Sequence, residues 1–241
     1  MHEAEPRFLI FETSGRIGQV AIALGEKILG RRSLDETRRH ARDLALAVSE
    51  LLETAGWQPR EVNAVLLSSG PGSYTGLRVG IMSAKTFAYA TGCGLLAIPT
   101  FSAIALQAPH ESFEVEVIDD AQQDRVYHQR FERPSGGTAW SRCSALAIKP
   151  VSTWLEELTP ATLIAGPAAH IYANRLPVGA KIADSAIRTA TVEGLLRLGL
   201  TRYLAGERDD LWAVEPLYLR PSAAEEKRNS LSPSEPARRG F

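Results

Sequence analysis

Residues 68–80 read SSGPGSYTGLRVG, with an apolar run (64–69, AVLLSS) before them and a long helix-forming stretch after them that stops at Gly92. No other feature limits the fold so strongly. A buried strand that turns through glycines into a helix N-terminus is a building unit of an open α/β sheet. Glycine belongs where the backbone must turn sharply or approach another group with no Cβ in the way. The residues alone leave two uses open. Backbone N–H groups could face an anion at the helix N-terminus, or the loop could be a tight turn beneath a closely packed helix. Two familiar phosphate loops are excluded. A Walker A loop needs Lys and then Ser or Thr after its last glycine, whereas Gly76 is followed by Leu77-Arg78. A dinucleotide fingerprint needs an acidic residue about 20 positions further on, and residues 62–110 contain no Asp or Glu.

Around this loop the hydrophobic pattern predicts an ordered succession of elements. Three antiparallel strands are expected at 7–12, 18–24 and 27–33, the first two separated by the turn-forming Thr13-Ser14-Gly15. Residues 35–55 place Ala41, Leu44, Val48, Leu51, Leu52 and Ala55 on one helical face, with Asp35 as cap and Gly56 as stop. The strand at 64–69, a helix over 75–91, a strand at 94–98 and a helix over 100–107 complete the first half. After Pro109 the pattern restarts, with strands at 115–118 and 126–132, a loop at 134–138, helices at 151–158, 168–176 and 191–205, and a strand at 162–165. A boundary near 106–112 therefore divides lobes 1–108 and 109–224. Residues 225–241, polar and broken by Pro233 and Pro236, read as a disordered tail.

The balance of charge narrows the function classes. With 27 basic and 28 acidic residues the net charge is −1, which supplies no electrostatic footprint for nucleic acid or an anionic membrane. Cys93 and Cys143 form no metal-ligand spacing and read as reduced thiols. His2, His40, His110, His128 and His170 are scattered, without an HExxH pair. Residues 1–7 lack the regions of a secretory leader, so a cytoplasmic chain is expected.

Taken together, several motifs resemble the TsaB/YeaZ family. They are Phe11-Glu12-Thr13-Ser14 after the first strand, His40 followed by Leu44, the run from Gly70 to Gly80 with Ala84-Lys85 downstream, and Ile98-Pro99-Thr100. Weaker echoes are Asp120-Ala121 with Val126-Tyr127, and Pro216-Leu217-Tyr218-Leu219-Arg220; the resemblance spans residues 7–220. Two places depart from the family pattern. Glu12 stands where the family usually has Asp, and Gln122-Gln123-Asp124 replaces a basic residue followed by glycine.

The resemblance implies an α/β chain with the duplicated actin, heat-shock-protein and sugar-kinase (ASKHA) fold, two lobes each with a mixed sheet and flanking helices. It also implies a non-catalytic subunit that holds a TsaD-type catalytic subunit in a competent state. That partner transfers threonylcarbamoyl to an adenosine of tRNA; a TsaE-type ATPase docks on the pair, and tRNA is reached only indirectly. No membrane, metal or catalytic residue is implied. The catalytic relatives hold metal through a histidine pair, where this chain reads Thr100-Phe101-Ser102-Ala103-Ile104-Ala105. No cofactor is required by such a subunit. A residual site for ATP or ADP at the complex interface would use Glu12, Thr13, Ser14, Gly70, Gly72, Ser73 and Gly76. The partner interface would use Leu44, Val48 and Leu51 of the first helix and Arg78, Met82, Lys85, Phe87 and Tyr89 of the second. Two alternatives stand beside this reading: a stand-alone ASKHA-fold kinase or ATPase, and a scaffold that forms a homodimer through the same helices.

Overall fold

The computed structural model describes residues 5–34, 40–134, 137, 139–160 and 162–217. The expected helix cap at Asp35 and the expected tail at 225–241 lie outside the described residues.

The first sheet contains β1 (Arg7–Glu12), β2 (Gln19–Leu24), β3 (Lys27–Ser33), β4 (Ala64–Ser68) and β5 (Gly94–Ile98), in the order β3-β2-β1-β4-β5. The hairpin strands pair antiparallel and β1, β4 and β5 run parallel. Strands β1 and β4 sit in the middle of the sheet and are buried on both faces, which is why they read as unbroken apolar runs rather than alternating ones. The second sheet contains β6 (Glu114–Asp120), β7 (Arg125–Glu132), β8 (Ser141–Arg142), β9 (Ala147–Pro150), β10 (Leu163–Ala165) and β11 (Lys181–Ile182). Its order is β11-β10-β6-β7-β8, with β9 also paired to β7. A hairpin followed by parallel strands is thus used twice, which is the duplicated two-lobed ASKHA architecture.

Side-chain alternation separates three apolar layers. Leu9, Phe11, Val65 and Leu67 face helices α1 (His40–Ala55) and α2 (Tyr74–Thr91), meeting Leu44, Leu51, Ile81 and Ala84. Phe8, Ile10, Leu66 and Leu96 face the other way. There they join α3 (Thr100–Ala105), α5 (Val192–Leu204) and the inner side of the second sheet at Val115, Val117 and Phe131. The outer side of that sheet, at Ile118, Val126 and Ile164, is covered by Trp154 of α4 (Val151–Glu156) and by Ala168, Ala169 and Tyr172.

Two expectations need correction. Residues 168–176 do not form an α-helix. They bond in three-residue steps (Ala169 N to Gly166 O, Ile171 N to Ala168 O, Arg175 N to Tyr172 O) and reach only a short 3-10 turn at Ala173–Arg175. Gly166 has φ +101 and its backbone is pressed against Ile118, and Pro177 disfavours helical geometry just before it, so a regular helix has no room to propagate. The division at residues 108/109 also fails to separate the lobes in space, because α5 lies on β1, β2, β4 and β5 of the first sheet. Gly199 allows this approach; a Cβ there would stand 2.6 Å from Leu66 Cδ1. The short strands β8, β9 and β11 were not expected from the sequence.

Candidate functional site

Strand β4 delivers the chain into the glycine loop, and Ser73 caps α2 by accepting a 3.2 Å hydrogen bond from Gly76 N–H on its Oγ. Several amides of the loop bond within the protein. Ser73 N–H donates to Ser14 O at 2.7 Å and Leu77 N–H to Ser73 O at 2.8 Å, while Gly70 N–H donates to Thr100 Oγ1 at 3.1 Å. The glycines meet the β1–β2 turn. A Cβ on Gly72 would stand 2.5 Å from Ser14 O, one on Gly76 2.1 Å from Thr13 O, and one on Gly80 2.1 Å from Thr13 Oγ1. The loop is therefore packed against residues 13 and 14 of the same chain, and the close-packed use of its glycines accounts for all three positions.

Glu12, Thr13, Ser14, Gly70, Gly72, Ser73 and Gly76 are all brought together here, but they bond mainly to each other. Thr13 N–H donates to Ser68 Oγ at 3.1 Å, and Glu12 Oε1 accepts from Ser14 N–H at 2.9 Å and from the Ser14 hydroxyl. Glu12 is buried, and that burial pushes its carboxyl above the ordinary range while the bonds from Ser14 pull it back. Among the described residues no group of three or more His, Cys, Asp or Glu side chains could hold a metal ion.

The helix pair gives a different picture. Ile81, Ala84 and Ala88 turn α2 inward, leaving Arg78, Met82, Thr86 and Tyr89 exposed along the opposite face. Met82 is 61% exposed and Tyr89 71%. Arg78 is held over the Tyr74 ring, 4.4 Å from its centroid. Phe87 and Lys85 are half-buried; Phe87 packs on the core behind α2. On α1 the expectation is corrected: Leu44 and Leu51 are buried in the protein's own core, and Val48 is half-buried. Helical spacing showed that these residues share a face without showing which face it was. Among the described residues the large exposed apolar side chain of α1 is Leu46, 60% exposed, which falls off the 44/47/51 stripe. That departure from the stripe is the signal by which it could have been found.

A C-terminal strap joins this surface to the loop. Beyond α5, Asp209 N–H donates to Leu95 O and its Oδ2 accepts from Ala97 N–H at 2.7 Å, occupying the outer edge of β5. Lys85 Nζ then donates to Val214 O at 3.0 Å and to Trp212 O at 3.4 Å, and Leu217 N–H reaches Ser69 O. Trp212, 71% exposed, meets Tyr89 edge to face with ring centroids 5.9 Å apart. No sequence periodicity pointed to Trp212.

This architecture and loop define a duplicated ASKHA-fold protein whose first-lobe glycine loop is filled by its own chain. A protein-family model described as "TsaD: tRNA N6-adenosine threonylcarbamoyltransferase" matches residues 27–155, more than half of the chain. The tRNA threonylcarbamoyladenosine biosynthesis protein TsaB of Escherichia coli K12 is 24% identical over 195 residues, covering 79% of this chain and 84% of that protein. The TsaB of Bacillus subtilis 168 is 25% identical over 128 residues, 53% of this chain and 56% of that protein. Among solved structures, YeaZ from Pseudomonas aeruginosa superposes with a TM-score of 0.73 at 25% identity, covering 89% of this chain and 100% of that one. The chain belongs to the TsaB/YeaZ family.

Proposed function

We propose that this protein is a non-catalytic subunit in the formation of threonylcarbamoyladenosine in tRNA, and that it binds and activates a TsaD-type catalytic subunit through the outer face of α1 and α2. The observation that carries this reading is the exposed apolar pair Met82 and Tyr89 on one face of α2, with Trp212 against Tyr89, together with exposed Leu46 on α1. Large apolar side chains grouped on one helical face cost free energy in water and are suited to a partner helix face. Support also comes from the glycine loop, where the Ser73 amide bonds to Ser14 O of the β1–β2 turn and Gly72, Gly76 and Gly80 pack against Thr13 and Ser14. In this reading the protein supplies shape and rigidity. Any ATP or ADP sits at the boundary with the partner, a TsaE-type ATPase docks on the assembled pair, and tRNA is held elsewhere.

Met82→Glu tests the proposal. Met82 projects from the monomer, so the variant should keep the wild-type circular dichroism spectrum and melting temperature. On association it would bury an unpaired carboxylate, at a cost of several kcal/mol, and co-purification with a TsaD-type subunit should be lost. Retained binding by a folded variant refutes the assigned face. If the purified protein instead forms a dimer that Met82→Glu splits, while TsaD binding is unaffected, the homodimer scaffold takes its place.

A further inference from the structure

A cavity of about 420 Å³ opens between the two sheets, beside the β5–α3 junction, and shares no lining residue with the glycine loop or with the outer face of α1 and α2. Its apolar floor is built from both lobes: Ile98 at the end of β5, Phe131 of β7, Leu106 and Leu198, with Trp140 on the wall. Two guanidinium groups line the same space, Arg142 of β8 and Arg197 of α5. Both side chains belong to exposed residues, and neither has a hydrogen-bonding or ion-pair partner among the described residues. Many other arginines of this chain are matched: Arg7 with Glu61, Arg31 with Glu193, Arg130 with Glu116, Arg175 with Asp124. Arg202, at the edge of the cavity, is fully engaged by Glu207, Asp209 and the Ala97 carbonyl. Two cations without a partner among the described residues, beside one apolar cavity, form an amphiphilic arrangement, positive at the mouth and apolar at the base.

Trp140 adds a second observation. Arg133 lies 4.6 Å from its ring centroid, which fixes the indole plane, yet the buried indole N–H has no hydrogen-bond partner among the described residues. A buried donor left unpaired is costly and calls for an explanation. Ligand sites of this size are largely apolar, with a few polar groups that set orientation, and often lie where two lobes meet.

We infer that this cavity binds a small organic anion, an aromatic or branched aliphatic body carrying one carboxylate, sulfonate or phosphate group. The body occupies the floor between Phe131, Leu106 and Leu198. The anion pairs with Arg142 and Arg197, whose forked donors suit a planar or tetrahedral oxyanion. Because the floor comes from both sheets, the bound molecule bridges the lobes.

The probe is anilinonaphthalene sulfonate, an aromatic anion that fluoresces when shielded from water, titrated beside the uncharged phenylnaphthylamine. Replacing Arg142→Gln or Arg197→Gln should weaken the sulfonate dye about tenfold each and leave the neutral dye unchanged, with unaltered melting temperature. Salt should weaken the sulfonate dye in the wild type and have little effect in the double variant. Ser102→Phe, which fills the cavity from α3, should abolish binding of both dyes. Equal sulfonate affinity in wild type and the Arg142→Gln/Arg197→Gln double variant overturns the inference. So does parallel loss of both dyes in that variant, since charge would then not be what is recognised, and so does undiminished binding by a folded Ser102→Phe protein.

Discussion

Replacing Gly76 by alanine distinguishes a filled glycine loop from an open cradle. Gly76 lies in the first turn of α2, where alanine is favoured over glycine by about 1 kcal/mol. If the loop faced solvent, Gly76→Ala would therefore stabilise the protein slightly. In the structure the new Cβ would stand 2.1 Å from the Thr13 carbonyl oxygen, against a comfortable separation of about 3.5 Å. The obstacle is backbone, so β1 and its turn must move by more than an ångström or α2 must lift. Overpacking of this kind costs roughly 3 kcal/mol. Setting the helix gain against it leaves a net loss of about 2 kcal/mol, or about 4–8 °C in melting temperature for a chain of this size. Gly80→Ala provides the contrast, because its Cβ meets the Thr13 side chain, 2.1 Å from Oγ1 and 3.1 Å from Cγ2. Adding Thr13→Ala should recover part of the stability lost in Gly80→Ala, with a coupling of about 1 kcal/mol, and should recover nothing in Gly76→Ala. Urea unfolding followed by circular dichroism and tryptophan fluorescence reads the two glycine variants, Thr13→Ala and the two double variants. A Gly76→Ala protein at least as stable as wild type would falsify the filled-loop argument.

Two further predictions concern carboxylates, one buried and one half-buried. Glu12 binds its proton more tightly folded than unfolded, so it removes stability as pH rises through its folded value. Glu12→Gln keeps an acceptor for the Ser14 N–H, and its stability advantage over wild type should be near zero at pH 4 and grow toward pH 7; an advantage independent of pH counts against the assignment. Burial likewise pushes the Asp119 carboxyl up to about 6. Asp119→Asn should therefore gain about 1–2 kcal/mol at pH 7, reduced from the full linkage value because the side chain is partly exposed. The gain should vanish below pH 4 in urea titrations, and no gain at pH 7 would contradict it.

Much of the fold could be read from spacing. The unbroken apolar strands, the helix expected over 75–91 and its stop at Gly92 are local signals, and the structure places them within a residue or two of expectation. What could not be read depends on contacts distant in sequence. The purpose of Gly72, Gly76 and Gly80 is set by Thr13 and Ser14, some sixty residues earlier, so the loop alone cannot tell an anion from a neighbouring turn. Leu44 and Leu51 shared a helical face with no indication that their own sheet would cover it. The two-residue strands β8 and β11 are too short to carry any period, and Trp212 lies in an irregular strap.

The order in which the first sheet is completed has a consequence for how the chain must be made. Its five strands are all synthesised by Ile98, yet the helix that covers one face arrives only at Val192–Leu204, and the residue that occupies the β5 edge only at Asp209. During translation the nascent first lobe waits for roughly a hundred residues with the face of Phe8, Ile10 and Leu66 only partly covered, by α3 and then by the second sheet. A fragment cut near residue 108 keeps that incompletely covered face and open edge permanently, and should aggregate rather than behave as an independent domain. The last described elements thus act as the lock of the first lobe, and a ribosome stalled before residue 190 holds a sheet that cannot yet close.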